Sequence, residues 1–196
     1  HYTLDHNKAL VITHGISGSG KTTHSQRLAE KFGLIRIRAD VERKRLFGLH
    51  ATASSQHIAG GIYHEDANRK TQDRLEQLAR EVLSAGYPVL VDATFIRREP
   101  RERMRAVATA MQVPCFVLAF TAAPGIMRER AARRAALSED ASEADATIVD
   151  QQLAALEPLT LEEQAQAITI ATDSPPDWSS LFPAFLTKTR LRSIST

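Results

Sequence analysis

Cysteine is almost missing from this 196-residue chain: Cys115 stands alone, so no internal disulfide can staple the fold. It lies within the apolar run Pro114 to Phe120, which marks it as a buried structural residue rather than a nucleophile. A lone thiol suits a reducing compartment, and the cytoplasm is the expected location. Long apolar runs are missing too. None approaches the roughly 20 residues of a membrane span, and no signal peptide opens the sequence, so no membrane partner is expected. Charge of one sign is not in excess either: 25 Lys and Arg against 23 Asp and Glu leave +2. That is too little to argue by itself for a nucleic-acid partner, which stays open only through the arginine-rich stretches below. There is no internal repeat. The first eight residues are polar and unpatterned and begin at His1. They read as a tail, a linker from a larger protein or a tag remnant, with one domain over 9–192.

What is present begins with Gly15-Ile16-Ser17-Gly18-Ser19-Gly20-Lys21-Thr22, which fits the phosphate-loop pattern G-x-x-x-x-G-K-[ST]. The setting is right. Ala9 to Thr13 reads as a short buried strand, and Thr23 to Phe32 carries Leu28, Ala29 and Phe32 at helical spacing. Glycines let successive backbone N–H groups turn inward around a phosphate, and the helix behind adds its positive end. Gly15, Ser17, Gly18, Ser19, Gly20, Lys21, Thr22 and Thr23 are the expected nucleotide contacts. Lys21 is expected at the β- and γ-phosphates of ATP, and the Thr22 hydroxyl on Mg²⁺.

The second strand, Leu34 to Asp40, alternates apolar and charged residues as an exposed edge would. It leads into a short helix over Val41 to Phe47. Residues just past strand ends line the ligand crevice of an open α/β sheet, so Asp40 and Arg43 are candidates to meet an acceptor. Asp40 can take a proton from an attacking hydroxyl, and Arg43 can hold an anionic group. The alternatives are a plain helix N-cap for Asp40 and a solvated charge for Arg43. Gly48 to Gly61 is a polar connection, read as a loop covering the substrate. Its His50 and His57, with His64 beyond, match no metal-binding spacing.

Ile62 to Ala85 reads as a long helix with an apolar stripe, and Tyr87 to Asp92 as a buried strand ending in a carboxylate. An apolar strand closing on Asp is the second half of a phosphate-loop site, so Asp92 is the second expected Mg²⁺ residue. Thr94, just beyond it, is a candidate substrate contact. No Glu follows Asp92 and no N-K-x-D motif occurs, which weighs against a motor ATPase or a GTPase switch. The charge-dense Arg97 to Arg103 opens a helix to about Met111 and reads as a solvated face with one or two functional arginines.

Val113 to Thr121 is another buried strand. Pro124 starts a helix bearing Arg128, Arg130, Arg133 and Arg134, followed by the acidic Ser138 to Asp145. Residues 124–145 together are read as a lid. Those arginines cannot share one helix face, but two in the cleft would neutralise charge on a transferring phosphoryl group. Arg128 and Arg130 are assigned that role, and Arg133 and Arg134 the nucleotide phosphates. A helix over 148–156, a capped helix over 160–166, a last strand over 167–172 and a closing helix over 178–191 complete the pattern. Asp173 to Pro175, after the final strand, are positioned to meet adenine. Five strands alternating with helices imply a three-layer α/β/α phosphate-loop NTPase fold, its five-stranded sheet mostly parallel, with an arginine-rich lid.

With these landmarks in place, the chain resembles the small phosphate-loop kinases, the group holding shikimate, gluconate and polynucleotide kinases and zeta-type toxins. Gly15 to Thr22, Arg38-Ala39-Asp40 with Arg43, Val91-Asp92-Ala93-Thr94 and Arg128 to Arg134 carry the likeness in order. Val41 to Arg45, Asp92 to Phe95 and Asp140 to Asp145 are similar to a narrower group, a kinase domain often fused behind an aminoglycoside-phosphotransferase-like domain. The resemblance implies that Asp40 is the catalytic base, Arg43 the substrate anchor and Arg128 to Arg134 part of the lid. It leaves open which of those arginines touches phosphate. The implied activity is ATP- and Mg²⁺-dependent transfer to a small hydroxylated acceptor, with sugars, aminosugars or aminoglycoside-like molecules first. A regulatory ATP-binding module of a fused protein, a polynucleotide 5′-hydroxyl kinase and a zeta-like toxin are the other readings.

Overall fold

Leu10, Val11 and Ile12 are fully buried, as a strand covered on both faces must be, and they put β1 (Leu10–His14) at the centre of the sheet. The computed structural model describes residues 8–51, 53, 62, 64–137 and 146–191. β3 (Val89–Asp92) and β4 (Cys115–Thr121) flank β1, with β2 (Ile35–Arg38) and β5 (Ala167–Ala171) at the two edges. The order is β2-β3-β1-β4-β5, and every neighbouring pair is parallel, so the sheet is wholly rather than mostly parallel. Leu10 faces Val89 on one side and Cys115 on the other, which aligns the carboxyl ends of β1, β3 and β4 along one rim. The alternating β2 is an edge strand, paired among the described residues with β3 alone.

Side-chain alternation along β1 divides the core in two. Val11 joins Leu28, Phe32, Phe120 and Phe185 beneath α1 (Lys21–Phe32) and α8 (Trp178–Thr189). Leu10 and Ile12 join Leu75, Leu83, Met104 and Val107 beneath α3 (Glu65–Ser84) and α4 (Arg98–Ala110). Helices on both faces of a parallel sheet make the three-layer α/β/α phosphate-loop NTPase fold. A short α2 (Ala39–Leu46) follows β2, and α7 (Leu161–Ala165) carries the capping box of Thr160 and Glu163. None of the helices among the described residues is long and apolar enough to cross a membrane.

Several boundaries move, each for a local reason. α3 starts at Glu65 rather than near 62, because the His64 side chain accepts from Ala67 N and caps it. α2 starts at Ala39, with Arg38 as N-cap, so Asp40 lies inside the first turn and does not cap the helix. The last helix stops at Thr189, where Arg190 turns left-handed at φ 56°. His57, the acidic stretch 138–145 and residues 1–7 lie outside the described residues.

Candidate functional site

The turn from β1 into α1 is possible only with glycine at its tight points. At Gly18, with φ 81°, a Cβ would lie 2.2 Å from the Met127 carbonyl oxygen. At Gly15 it would lie 2.6 Å from that of Phe120. Gly15 N donates to Thr94 O at 3.0 Å, tying the loop to the segment after β3. α1 begins directly at Lys21, with Gly20 left-handed before it and no side-chain cap on its first N–H groups. Thr23, one place into the helix after Thr22, is exposed, whereas Ser17 and Ser19 are buried, and the Ser19 hydroxyl has no hydrogen-bond partner. Lys21 is buried and its Nζ donates to Ile16 O at 2.7 Å. Burial pushes its ammonium down to about 8, against the pull of Asp92 and Asp40.

β3 delivers Asp92 to the rim beside the loop. Ser25 Oγ donates to Asp92 Oδ2 at 3.2 Å, and Arg36 on β2 forms an ion pair with the same oxygen. Asp40 faces it from α2. Burial raises the Asp40 carboxyl above its ordinary range and the Asp92 charge adds to this, while Arg43, Arg38 and Lys21 oppose it. Thr22 and Asp92 line one cavity with Asp40, and their hydroxyl and carboxylate oxygens are donors that fit Mg²⁺ completed by phosphate and water. His64 is spent as a helix cap, and no three His, Cys, Asp or Glu converge among the described residues.

Lys21, Thr22, Asp40, Arg43, Asp92 and Thr94 all line one cavity of about 440 Å³. A second, of about 780 Å³, opens between α3 and α4. The two share a wall that includes Arg43, Asn68 and Ala93 to Thr94 with Ile96 and Arg97, so the first leads into the second. Arg43 donates to Asn68 Oδ1 at 2.6 Å and to Ile62 O at 3.3 Å, which holds its guanidinium at that junction. The shared wall after β3 is fixed by Phe95, left-handed at φ 43°, whose carbonyl accepts from Arg101 Nη1 and His14 Nδ1.

The four lid arginines part company on α5 (Pro124–Leu137). Arg128 pairs with Asp150 of α6 (Ala146–Ala154) at 2.7 Å, away from the cavity. Arg130 reaches back to Thr172 O at 2.6 Å and Gly18 O at 3.4 Å. Arg133 is exposed. Arg134 lines the cavity, and its Nε and Nη2 are buried without a hydrogen-bond partner. Of the four, it alone offers unspent buried donors where a phosphate group would stand.

Sequence reasoning missed Ser25, Arg36, Thr172 and Gln152. Ser25 was within reach, since it lies four residues after Lys21 on the same helix face. Arg36 alternates with the buried Ile37, but strand alternation does not reveal that its charge meets Asp92. Gln152, which accepts from Ser17 N at 2.7 Å, comes from 135 positions further along and carries no motif. Asp173, on the predicted adenine side, is engaged through Oδ1 by Ala123 N at 2.7 Å.

A family model described as an AAA domain matches residues 10–159, most of the chain. No curated protein matches at a significant level. Among solved structures, a sugar kinase of Janibacter sp. HTCC2649 aligns at TM-score 0.67 and 20% identity, covering 94% of this chain and 95% of its own. A gluconokinase of Sinorhizobium meliloti 1021 aligns at 0.63 and 17% identity, covering 93% and 91%. Chaetomium thermophilum Kti12, in complex with ADP-AlF3, aligns at 0.65 and 16% identity, covering 92% and 98%. At such identities the likeness speaks for the fold.

Proposed function

The chain belongs to the AAA domain family, and from that premise we propose that it is an ATP-dependent phosphotransferase acting on a hydroxyl of a small acceptor. The carrying observation is that Asp40 shares one cavity with the phosphate loop, and that this cavity continues past Arg43 into a larger groove. A nucleotide-binding module without an acceptor has no use for a carboxylate there. The loop amides and Lys21 hold the β- and γ-phosphates. Thr22 and Asp92 would hold Mg²⁺, which would supply charge neutralisation to the phosphates. Asp40 accepts the acceptor's proton as its oxygen bonds to the γ-phosphorus, and the bond from that phosphorus to the departing ADP breaks. Its raised pKa makes Asp40 a stronger base than an ordinary carboxylate. Arg134 meets the transferring group with its unspent donors.

A groove of about 780 Å³ suits a small molecule rather than a polymer. Two structurally similar proteins are a sugar kinase and a gluconokinase, so sugars and their derivatives lead the list of acceptors. A fused aminoglycoside-phosphotransferase-like partner would extend it to aminosugars and aminoglycosides. The test is ADP release from Mg·ATP with sugars, sugar acids, aminosugars, aminoglycosides, nucleosides and 5′-hydroxyl oligonucleotides. One acceptor class should stimulate release. Asp40→Asn should lose at least about a hundredfold of that stimulation while still binding ATP, and Lys21→Ala should lose both. Slow hydrolysis that no acceptor accelerates, unchanged in Asp40→Asn, would instead make the chain a regulatory ATP-binding module.

A further inference from the structure

The Ser17 N–H belongs to the phosphate loop, yet its partner is a side chain of α6. It donates to Gln152 Oε1 at 2.7 Å. A backbone N–H can only donate, so this contact fixes which end of the carboxamide is oxygen and leaves two N–H donors on the other end. We propose that Gln152 reads the terminal phosphate of the nucleotide and makes the site prefer a triphosphate to a diphosphate. The inference rests on nucleotide binding at the loop, and on no acceptor.

The placement of Gln152 carries the argument. Ile148, Gln151 and Gln152 turn one face of α6 into the cavity that also holds Lys21, Thr22, Asp92 and Asp40, where the last phosphate must meet an acceptor. Arg130 and Thr172, which brace the other side of the loop, do not line it. The adjoining face of α6 is locked down: Val149 is fully buried against Ile16, Met127 and Ala131, with Leu153 beside them. The helix is thus fastened to the very loop whose amide Gln152 occupies. A side-chain rotation suffices to change its partner.

A phosphate oxygen is a stronger acceptor for Ser17 N–H than a neutral amide oxygen. When a γ-phosphate arrives, the Ser17 N–H passes to it, and the freed carboxamide turns its N–H donors onto the same group. Arg134, lining the same cavity with its Nε and Nη2 buried and unspent, supplies the charge that a neutral glutamine lacks. A diphosphate ends one group short. It leaves the Ser17–Gln152 bond as it stands and gains nothing from it.

The experiment is calorimetric titration of the whole chain with ADP and with the β,γ-imido analogue of ATP, for wild type, Gln152→Ala and Gln152→Glu. Wild type should prefer the triphosphate by at least about tenfold, the scale of one hydrogen bond to a charged group, and Gln152→Ala should bring the ratio within about threefold. In Gln152→Glu a carboxylate faces the phosphate, so triphosphate binding should fall at least about thirtyfold while ADP binding changes less than about threefold. Position 152 is half-exposed on a helix, where Ala is well tolerated, and thermal unfolding checks that both variants fold. A ratio unchanged in both variants, or equal weakening of ADP and triphosphate, would overturn the role of Gln152. Failure of the wild type to bind either nucleotide would overturn it together with the proposed function. Intact triphosphate selectivity without transfer to any acceptor would overturn the kinase reading alone.

Discussion

Lys21 is held in a state that nucleotide must alter. Burial brings its ammonium down to about 8, and the phosphates it is placed to hold would raise that value again, since an anion favours the charged form. Around pH 8 the nucleotide-free protein therefore has Lys21 partly deprotonated, and binding ATP draws a proton from solution. Calorimetry at pH 8 in two buffers of different ionisation enthalpy should show an uptake of roughly half a proton per nucleotide, fading toward pH 6, where Lys21 is already charged. ATP affinity should weaken above pH 8 for the same reason. Lys21, Asp40 and Asp92 could be picked out in the sequence because each occupies a fixed offset from a strand end. Arg36 and Gln152 could not, since each acts through a partner supplied by a distant element: Asp92 for one and Ser17 for the other.

Strand and helix positions followed closely from periodicity, because β1, β3 and β4 are buried apolar runs, β2 and β5 alternate as edge strands do, and most helices carry a buried stripe. The exceptions are ends where one side chain decides. His64 caps α3, a role that the neighbouring histidines gave no reason to assign to it. The arginines of α5 show the opposite limit: their spacing said that they diverge, but only packing against α6 and Thr172 says where each one goes. α5 also leans on the phosphate loop, since the Met127 carbonyl stands where a Gly18 side chain would be. Gly18→Ala should therefore force both a left-handed alanine and a clash with the helix backbone. A loss of at least about 2 kcal/mol in chemical denaturation is expected, together with nucleotide binding weakened at least about tenfold.

At the scale of the molecule, the crossover order was implied by alternating strands and helices, but the fastening of the far edge was not. Arg101 of α4 and Glu163 of α7 form a fully buried ion pair at 2.7 Å, and Arg101 also donates to the carbonyls of Phe95, Glu157 and Pro158. Glu163→Ala leaves a buried guanidinium without its carboxylate, and unfolding in denaturant should show a loss of about 3–5 kcal/mol. Although burial works the other way, the hydrogen bonds from Arg101 and Thr160 N hold the Glu163 carboxyl below its ordinary value. Its contribution is present at neutral pH and fades as pH falls through that lowered value.

Thr172 completes the picture from the last strand's end: its hydroxyl donates to Ser19 O at 3.1 Å and accepts from Arg130 Nη1 at 3.0 Å. It lies beyond residue 159, where the family match ends. The portion of sequence that is recognisably shared is thus not the portion that suffices. An excised fragment ending there would keep every residue of the phosphate-loop motif yet lose the brace beneath it, so the natural unit for transplanting or dividing this protein runs past β5 and Thr172 through α8.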